Sequence, residues 1–414
     1  VTRINMFNRS LYAFLKVTVG PWFRIFYPVK VINPEILKTM KGPFLILPNH
    51  IMKWDAVLLS LLFPEPLSSM ASESHFRNPF VGYFFSLIGV FPKAKAKSDL
   101  GAIRHMMDLK SRNRVICVFP EGQLSWDGGG MPLFYSTAKL IKLLKIPVYV
   151  PIFTGGSAVF PRWGKSKRKG TMELTIHTLF ADGREIRSLS SDEIFEKMSQ
   201  IINYKDMDNS IIEKNWHYES SDRAEYLEAI LYICPQCRSI ASLRSHGNSI
   251  SCQHCGLKVS LDDQYRFQSE SEKEFPLKTP LEWNLWQEKT LPEMLTDYSQ
   301  KERETPFMED RDILIKTGHR MSPLRVWSRK GKLSLFKDYV KLQAEKGEVR
   351  LIPFDEMNGV HVMTRQKLEF YHDKQLFVFF FPDPRTSGYK WLCSLRKLGI
   401  PSTYAWHGEE VEKI

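Results

Sequence analysis

Long apolar runs are absent from this chain of 414 residues. No stretch of about 18 uninterrupted apolar residues occurs and mean hydropathy is -0.28, which excludes a bundle of membrane-spanning helices. Internal repeats and low-complexity tracts are missing as well, so neither a solenoid nor a disordered tail is expected. Cysteine is scarce: of six, four fall between Cys234 and Cys255, whereas a disulfide framework would be spread through the chain. The apolar stretch from Leu11 to Tyr27 is broken by Lys16 and Arg24 and carries no small-residue cleavage site. A cleavable secretory signal is therefore not expected, and the cytoplasm is favoured. Acidic excess is also lacking. Net charge is +12, with 29 Lys and Arg against 17 Asp and Glu in residues 1–214, but 29 against 29 in residues 215–414. A basic first half implies an anionic partner, whether nucleic acid, anionic lipid or a phosphorylated substrate.

With 43% hydrophobic and 25% charged residues, the chain is of globular composition and too long for one compact core. Residues 7–30 mix aromatic and aliphatic side chains with four cations, as in a helix lying in a lipid headgroup layer; the same pattern suits an amphipathic helix packed on its own domain. Gly20-Pro21 should break or kink it. From 42 to 180, short apolar strands alternate with helical stretches, an α/β signature. The strand Phe44 to Leu47 precedes a helix from Trp54 to Phe63, Asn78-Pro79 caps a helix to Leu87, and Val115 to Phe119 reads as a buried strand. Ser190-x-x-Glu193 is a capping box. Polar stretches from Asp206 to Glu228 and from about Glu270 to Glu304 mark expected boundaries. They give a membrane-interface segment over 1–30, an α/β domain over 31–214, a cysteine module over 229–268 and a β domain over 306–414. In the last, alternating runs with Gly331 and Gly347 at turns close with a helix from Tyr389 to Leu398. That order of elements resembles a pleckstrin-homology-like or GRAM-like barrel.

Two constellations carry chemistry. The first strand runs into Pro48-Asn49-His50, and Asp55 follows His50 after four intervening residues. With His50 in the loop and Asp55 in the first helical turn, the carboxylate can hold one imidazole nitrogen and leave the other as a base for a hydroxyl. No Ser or Cys nucleophile stands nearby, so direct transfer fits better than a covalent intermediate. The second constellation, Phe119-Pro120-Glu121-Gly122-Gln123-Leu124-Ser125, ends an apolar strand.

Together these resemble the glycerolipid acyltransferase family, of the 1-acylglycerol-3-phosphate acyltransferase type. Asn49, His50 and Asp55 match its first block, Gly89 to Lys95 its second, Phe119 to Gly122 its third and the strand around Pro151 its fourth. The resemblance implies an α/β domain with a mixed sheet flanked by helices. It makes His50 the general base and Asp55 its partner, with Asn49, Lys95, Glu121, Gly122 and Pro151 binding substrate. The donor would be acyl-CoA or an acyl thioester on acyl carrier protein, and the acceptor a lysophosphatidic-acid-like lysophospholipid at an anionic membrane surface. The tetrahedral oxyanion formed on the thioester needs hydrogen-bond donors, sought in the loops around Gly89 and Pro151. The family usually has Arg where this chain has Leu124 and Lys95. Arg grips phosphate with a planar fork and Lys as a point charge, so a different head group, as in lysophospholipid remodelling, or a lipid-binding protein without catalysis, are the alternatives. Lys53, Lys93 and Lys97 could supply charge in place of the missing fork, or be solvated.

Cys234-x2-Cys237 and Cys252-x2-Cys255 have the knuckle spacing of a zinc ribbon. Four thiolates close a tetrahedral site, so Zn2+ would be structural. Because the ribbon half is net neutral, nucleic acid is disfavoured as its partner. The run Arg162 to Lys169, five cations around Trp163, is expected either to clamp acidic lipid headgroups or to form a charged hairpin. The chain is thus expected to be a peripheral or monotopic membrane enzyme: an α/β domain, a zinc ribbon and a mostly antiparallel β domain with a C-terminal helix.

Overall fold

The computed structural model describes residues 7–93, 100–202, 211–269, 275–300, 304–319, 322–363 and 366–401. Two compact units emerge. Of the described residues, one holds those up to Pro161 with Gly170–Trp216; the other holds Arg162–Lys169 with those from His217 to Pro401.

The first unit is built on a seven-stranded sheet: β1 (Lys30–Val31), β2 (Leu45–Ile46), β3 (Leu67–Ser72), β4 (Phe91–Lys93), β5 (Val115–Cys117), β6 (Val148–Thr154) and β7 (Glu173–Phe180). Their order is β1-β7-β6-β2-β5-β3-β4, parallel except where β6 meets β7. Leu45, Ile46, Val115, Ile116 and Cys117 are fully buried, as parallel strands covered on both faces require. Helices Leu100–Ser111, Ser136–Leu144 and Ser191–Ile202 supply Met106, Ile141 and Met198 to the core. The capping box opens the last of these: Ser190 N–H donates to Glu193, and Glu193 N–H to the Ser190 hydroxyl. Residues 7–30 break as expected, into helices Arg9–Thr18 and Gly20–Phe26, with Pro21 in the first turn of the second. Because β2, β5, β3 and β4 run the same way, the loops after them gather at one carboxyl edge.

The second unit begins with a four-stranded antiparallel sheet of β8 (Leu243–His246), β9 (Ser249–Cys252), β10 (Lys258–Leu261) and β11 (Phe267–Ser269). Then come β12 (Met308–Gly318), β13 (Arg325–Leu335), β14 (Tyr339–Gln343), β15 (Val349–Pro353), β16 (Met357–Met363), β17 (Lys367–His372) and β18 (Gln375–Phe380). They form an antiparallel sheet in the order β15-β14-β13-β12-β18-β17-β16, closed by helix Gly388–Lys397, whose Trp391, Leu392 and Leu395 are buried.

Three expectations need correcting. The polar stretch after the cysteines holds the 20-residue helix Pro280–Ser299, capped by Thr279, whose hydroxyl accepts the Glu282 N–H. Its buried face mixes Trp283 and Leu291 with Asn284 and Gln287, so polarity disguised it. Gly331 is not at a turn but inside β13, where a Cβ would come within 2.4 Å of Ile315. The basic run Arg162 to Lys169 is not a free hairpin with all its cations turned outward, because Trp163 and Arg168 are buried. Trp163 packs on Tyr265 and donates to the Arg223 carbonyl, and the Arg168 guanidinium donates to the carbonyls of Ser166, Asp222 and Arg223.

Candidate active site and metal centre

At the carboxyl edge, β2 ends and the chain turns through Asn49 and His50 before helix Asp55–Leu62. Asn49 is buried and spends its amide on β6: Nδ2 donates to the Phe153 carbonyl at 2.9 Å, and Oδ1 accepts the Phe153 N–H at 2.8 Å. That clamp sets the loop against the sheet. Asp55, in the first helical turn, is fully buried. Its Oδ2 lies 3.0 Å from His50 Nδ1 and accepts the N–H groups of Ile51 at 2.8 Å and Met52 at 2.9 Å. Burial raises the Asp55 carboxyl above its ordinary range, while the imidazole and the two amides pull it back. With Nδ1 facing Asp55, Nε2 is the other nitrogen of a partly exposed ring that lies 4.3 Å from Phe119 between centroids.

After β5, the loop from Phe119 wraps the backbone of His50. Glu121 Oε1 accepts the His50 N–H at 2.8 Å, its Oε2 accepts the Met131 N–H at 2.7 Å, and Ser125 N–H donates to the His50 carbonyl at 2.8 Å. Glu121 is 1% exposed, and burial pushes its carboxyl up to about 8 against the pull of the two amides. Gly122 is exposed and takes φ +66°, a left-handed conformation that closes the turn through its N–H to the Phe119 carbonyl. Leu124 is half-buried beside it, and the buried Gln123 amide finds no hydrogen-bond partner among the described residues.

Six of the seven sequence-predicted active-site residues are therefore placed. His50, Asp55, Glu121 and Gly122 come together; Asn49 and Pro151 lie at the same edge, where the Pro151 carbonyl accepts the Asn49 N–H. Lys95 lies outside the described residues, as does Lys97. Asn49 and Glu121 were expected to touch substrate, but their polar atoms are already occupied by backbone. Pro151 has no N–H and is buried in β6 opposite Ile176, so it donates nothing to an oxyanion. Gly89 precedes β4, and a Cβ there would meet the Leu67 carbonyl at the start of β3. It thus sits at the amino edge, away from His50. The contacts that Ser125 and Met131 make with this loop are not foreseen from sequence, although Gly128 to Gly130 signal the turn that returns Met131. Two lysines are held near the site's loops: Lys53 lies 4.0 Å from the Phe160 ring centroid, and Lys93 lies 5.2 Å from that of Phe134, whose N–H donates to the Pro120 carbonyl.

In the second unit, each cysteine knuckle is closed by a turn, Arg238 N–H to the Cys234 carbonyl and Gly256 N–H to the Cys252 carbonyl. Gly256 takes φ +78°. The four sulfurs lie within 4.8 Å of one another, and the pairs Cys234–Cys255 and Cys237–Cys252 are 3.7 Å apart. Four sulfurs at about 2.3 Å from a tetrahedral zinc stand roughly 3.8 Å from each other, so the donor set fits Zn2+ and is far too open for disulfides. His254 is not part of the cluster.

Residues 28–154 match the family model described as Acyltransferase, and residues 227–261 match a zinc-ribbon model described as DNA directed RNA polymerase, 7 kDa subunit. The chain thus carries a segment that matches an acyltransferase family model, followed by a segment that matches a zinc-ribbon model. A 1-acyl-sn-glycerol-3-phosphate acyltransferase of Saccharomyces cerevisiae is 27% identical over 167 residues, 39% of this chain and 52% of that protein. The chain spans about half the length of that relative. The crystal structure of the 1-acyl-sn-glycerophosphate (LPA) acyltransferase, PlsC, from Thermotoga maritima aligns with a TM-score of 0.41 and 18% identity, covering 47% of this chain and 78% of that one.

Proposed function

We propose that the protein is an O-acyltransferase that moves a fatty acyl group from acyl-CoA or acyl carrier protein to the free hydroxyl of a lysophosphatidic-acid-like acceptor. The observation that carries this is the His50–Asp55 pair, held from two sides by the loop that follows β5. The Nδ1 proton of His50 is held by Asp55, and Nε2 takes the proton of the acceptor hydroxyl. The hydroxyl oxygen then attacks the thioester carbonyl carbon. The tetrahedral oxyanion collapses, the carbon–sulfur bond breaks, and the departing thiolate recovers the proton from Nε2, giving an ester and a free thiol. Lys53 and Lys93 supply cations for the acceptor's phosphate. Zn2+, held by Cys234, Cys237, Cys252 and Cys255, ties the ribbon together and takes no part in the transfer.

The reaction takes place at an anionic membrane surface, engaged by helices Arg9–Thr18 and Gly20–Phe26, which expose Phe14, Val17, Trp22 and Ile25. Among the described residues, no helix is long and apolar enough to cross a membrane. A second reading, acyl transfer to a lysophospholipid with a larger polar head group, is favoured by Leu124 and by the unsatisfied Gln123 amide.

One experiment tests both readings. Purified protein and His50→Ala are incubated with an acyl thioester and a panel of lysophospholipids, and products are read by mass spectrometry. Wild type should form diacyl product, and His50→Ala should lose at least about a hundredfold in rate with zinc content and fold intact. Product from lysophosphatidic acid alone supports the first reading, and product from another head group supports the second. Unchanged turnover in the variant removes the general-base role, and no product with either thioester carrier removes the enzyme.

A further inference from the structure

Helix Pro79–Leu87 belongs to neither the His50 constellation nor the N-terminal helices, yet it carries the most exposed large apolar side chain of the described residues. Phe80 is 86% exposed, Tyr83 57%, Phe84 42% and Val81 38%. Positions 80, 83 and 84 form one stripe at helical spacing. The opposite face is committed to the fold: Gly82 is buried, a Cβ there would meet Phe76 at 3.3 Å, and Phe85 packs edge-on against Phe76. A surface helix with one face packed normally turns polar residues outward, and this one turns three aromatics.

Its placement follows from topology. β3 and β4 are parallel, with Ser72 opposite Lys93, so the helix that joins them runs back from the carboxyl edge to the amino edge. Its first turn, capped where Asn78 Oδ1 accepts the N–H groups of Phe80 and Val81, therefore lies toward the edge that holds His50 and Glu121. Its last turn meets the N-terminal helices, the Leu87 carbonyl accepting the Asn8 N–H at 2.8 Å.

Charge selects the occupant. Residues 74–93 contain no Asp or Glu but include Arg77 and Lys93; residues 7–34 likewise contain no acid but include Arg9, Lys16, Arg24 and Lys30. An aromatic face continuous with a second apolar element, and accompanied only by cations, suits the headgroup and acyl boundary of an anionic bilayer, with Tyr83 at the polar level. A protein partner would be expected to meet some exposed acid as well. We infer that helix Pro79–Leu87 is a lipid-contact helix in its own right, which lays the carboxyl edge of the sheet against the lipid surface where the acceptor resides. This rests on the membrane-surface reading above and names the element that brings the site to the substrate.

The test uses the full chain and vesicles of phosphatidylcholine, with and without phosphatidylglycerol. Wild type should sediment with vesicles, more strongly when phosphatidylglycerol is present, and amide exchange over residues 80–87 should slow on binding. Phe80→Glu with Phe84→Glu should lower partitioning by about tenfold or more with unchanged melting temperature and zinc content. Leu143→Glu, at an exposed apolar position on another helix, should partition as wild type. If the Phe80/Phe84 variant partitions as wild type and exchange over 80–87 is unaltered by vesicles, the inference is overturned. Dissociation of a lipid-free oligomer by that variant, with vesicle binding retained, overturns it in favour of a second copy of the chain. Vesicle binding through this helix by a wild type that transfers no acyl group sinks the enzymatic reading and leaves this one standing.

Discussion

The loop that carries His50 and the two cysteine knuckles are both short polar segments at strand ends, but they acquire their geometry in opposite ways. In the first, the chain supplies every contact: Asp55 takes an imidazole nitrogen and two amides, Glu121 takes two amides, and the Ser125 N–H holds the His50 carbonyl. In the second, two turns closed by the N–H groups of Arg238 and Gly256 bring four sulfurs within 4.8 Å of one another. One arrangement is set by backbone hydrogen bonds buried under a sheet; the other gathers a donor set that fits an ion. A catalytic group that must be ready before substrate arrives suits the former, and a small module with little core of its own suits the latter.

The largest effect that tests this contrast is on the metal side. Zinc binding of this kind contributes roughly 10 to 16 kcal/mol to folding, so chelation or Cys252→Ser should unfold the ribbon. Amide exchange should rise across β8, β9 and β10, and in Arg162–Lys169, which packs on Tyr265 and on the carbonyls before β8. Rigid ribbon amides after complete zinc removal would erase the distinction. On the other side, Asp55→Asn should lower the transfer rate by about a hundredfold or more, because the imidazole loses the anion that fixes its tautomer. Zinc content should not change. A smaller effect is expected of Asn49→Ala, which strands the N–H and carbonyl of Phe153: roughly 2 to 4 kcal/mol of stability, read by denaturant unfolding.

The effect that is smallest per unit of pH is a slope. Glu121 holds its proton in the folded state up to about 8, whereas an exposed glutamate releases it near its ordinary value. The folded state therefore binds more protons between those two values, so stability should fall as pH rises across that interval, by at most about 1.4 kcal/mol per pH unit from this group. Glu121→Gln should flatten the slope, although it loses one of the two amide contacts and starts lower. An unchanged slope would assign the proton elsewhere.

The parts of the molecule that are legible in the sequence share a physical cause. Strands such as Val115–Cys117 are buried on both faces and so are apolar at every position, and a loop bearing Asn49, His50 and Asp55 must follow one of them for the pair to form. The spacing of the four cysteines is legible because two Cys-x2-Cys knuckles are the pattern that gathers four sulfurs into one cluster. What escapes such reading depends on partners distant in sequence. Trp163 and Arg168 have the composition of a lipid clamp, and partners far along the chain, the Tyr265 ring for Trp163 and the carbonyls of Asp222 and Arg223, turn them inward. Gly89 can be assigned to the site only while the sheet order is unknown; that order places it at the opposite edge. The helix Pro280–Ser299 is hidden from pattern alone, since it buries Asn284, Gln287 and Thr290 as well as Trp283. Its one local signal, Thr279-x-x-Glu282, lies inside a stretch that reads as a linker.

Arg162–Lys169 leaves the chain of the first unit after Pro161 and returns to it at Gly170, having given its side chains to the second. The gene therefore does not hold the two units as consecutive cassettes. A fragment ending at Trp216 would leave the Trp163 indole and the Arg168 guanidinium without Tyr265 and the carbonyls that hold them, and a fragment starting at His217 would lack both side chains. On the ribosome, this segment emerges before its partners and must wait for them, so the Trp163 indole cannot be buried until about a hundred further residues, as far as Tyr265, have been made.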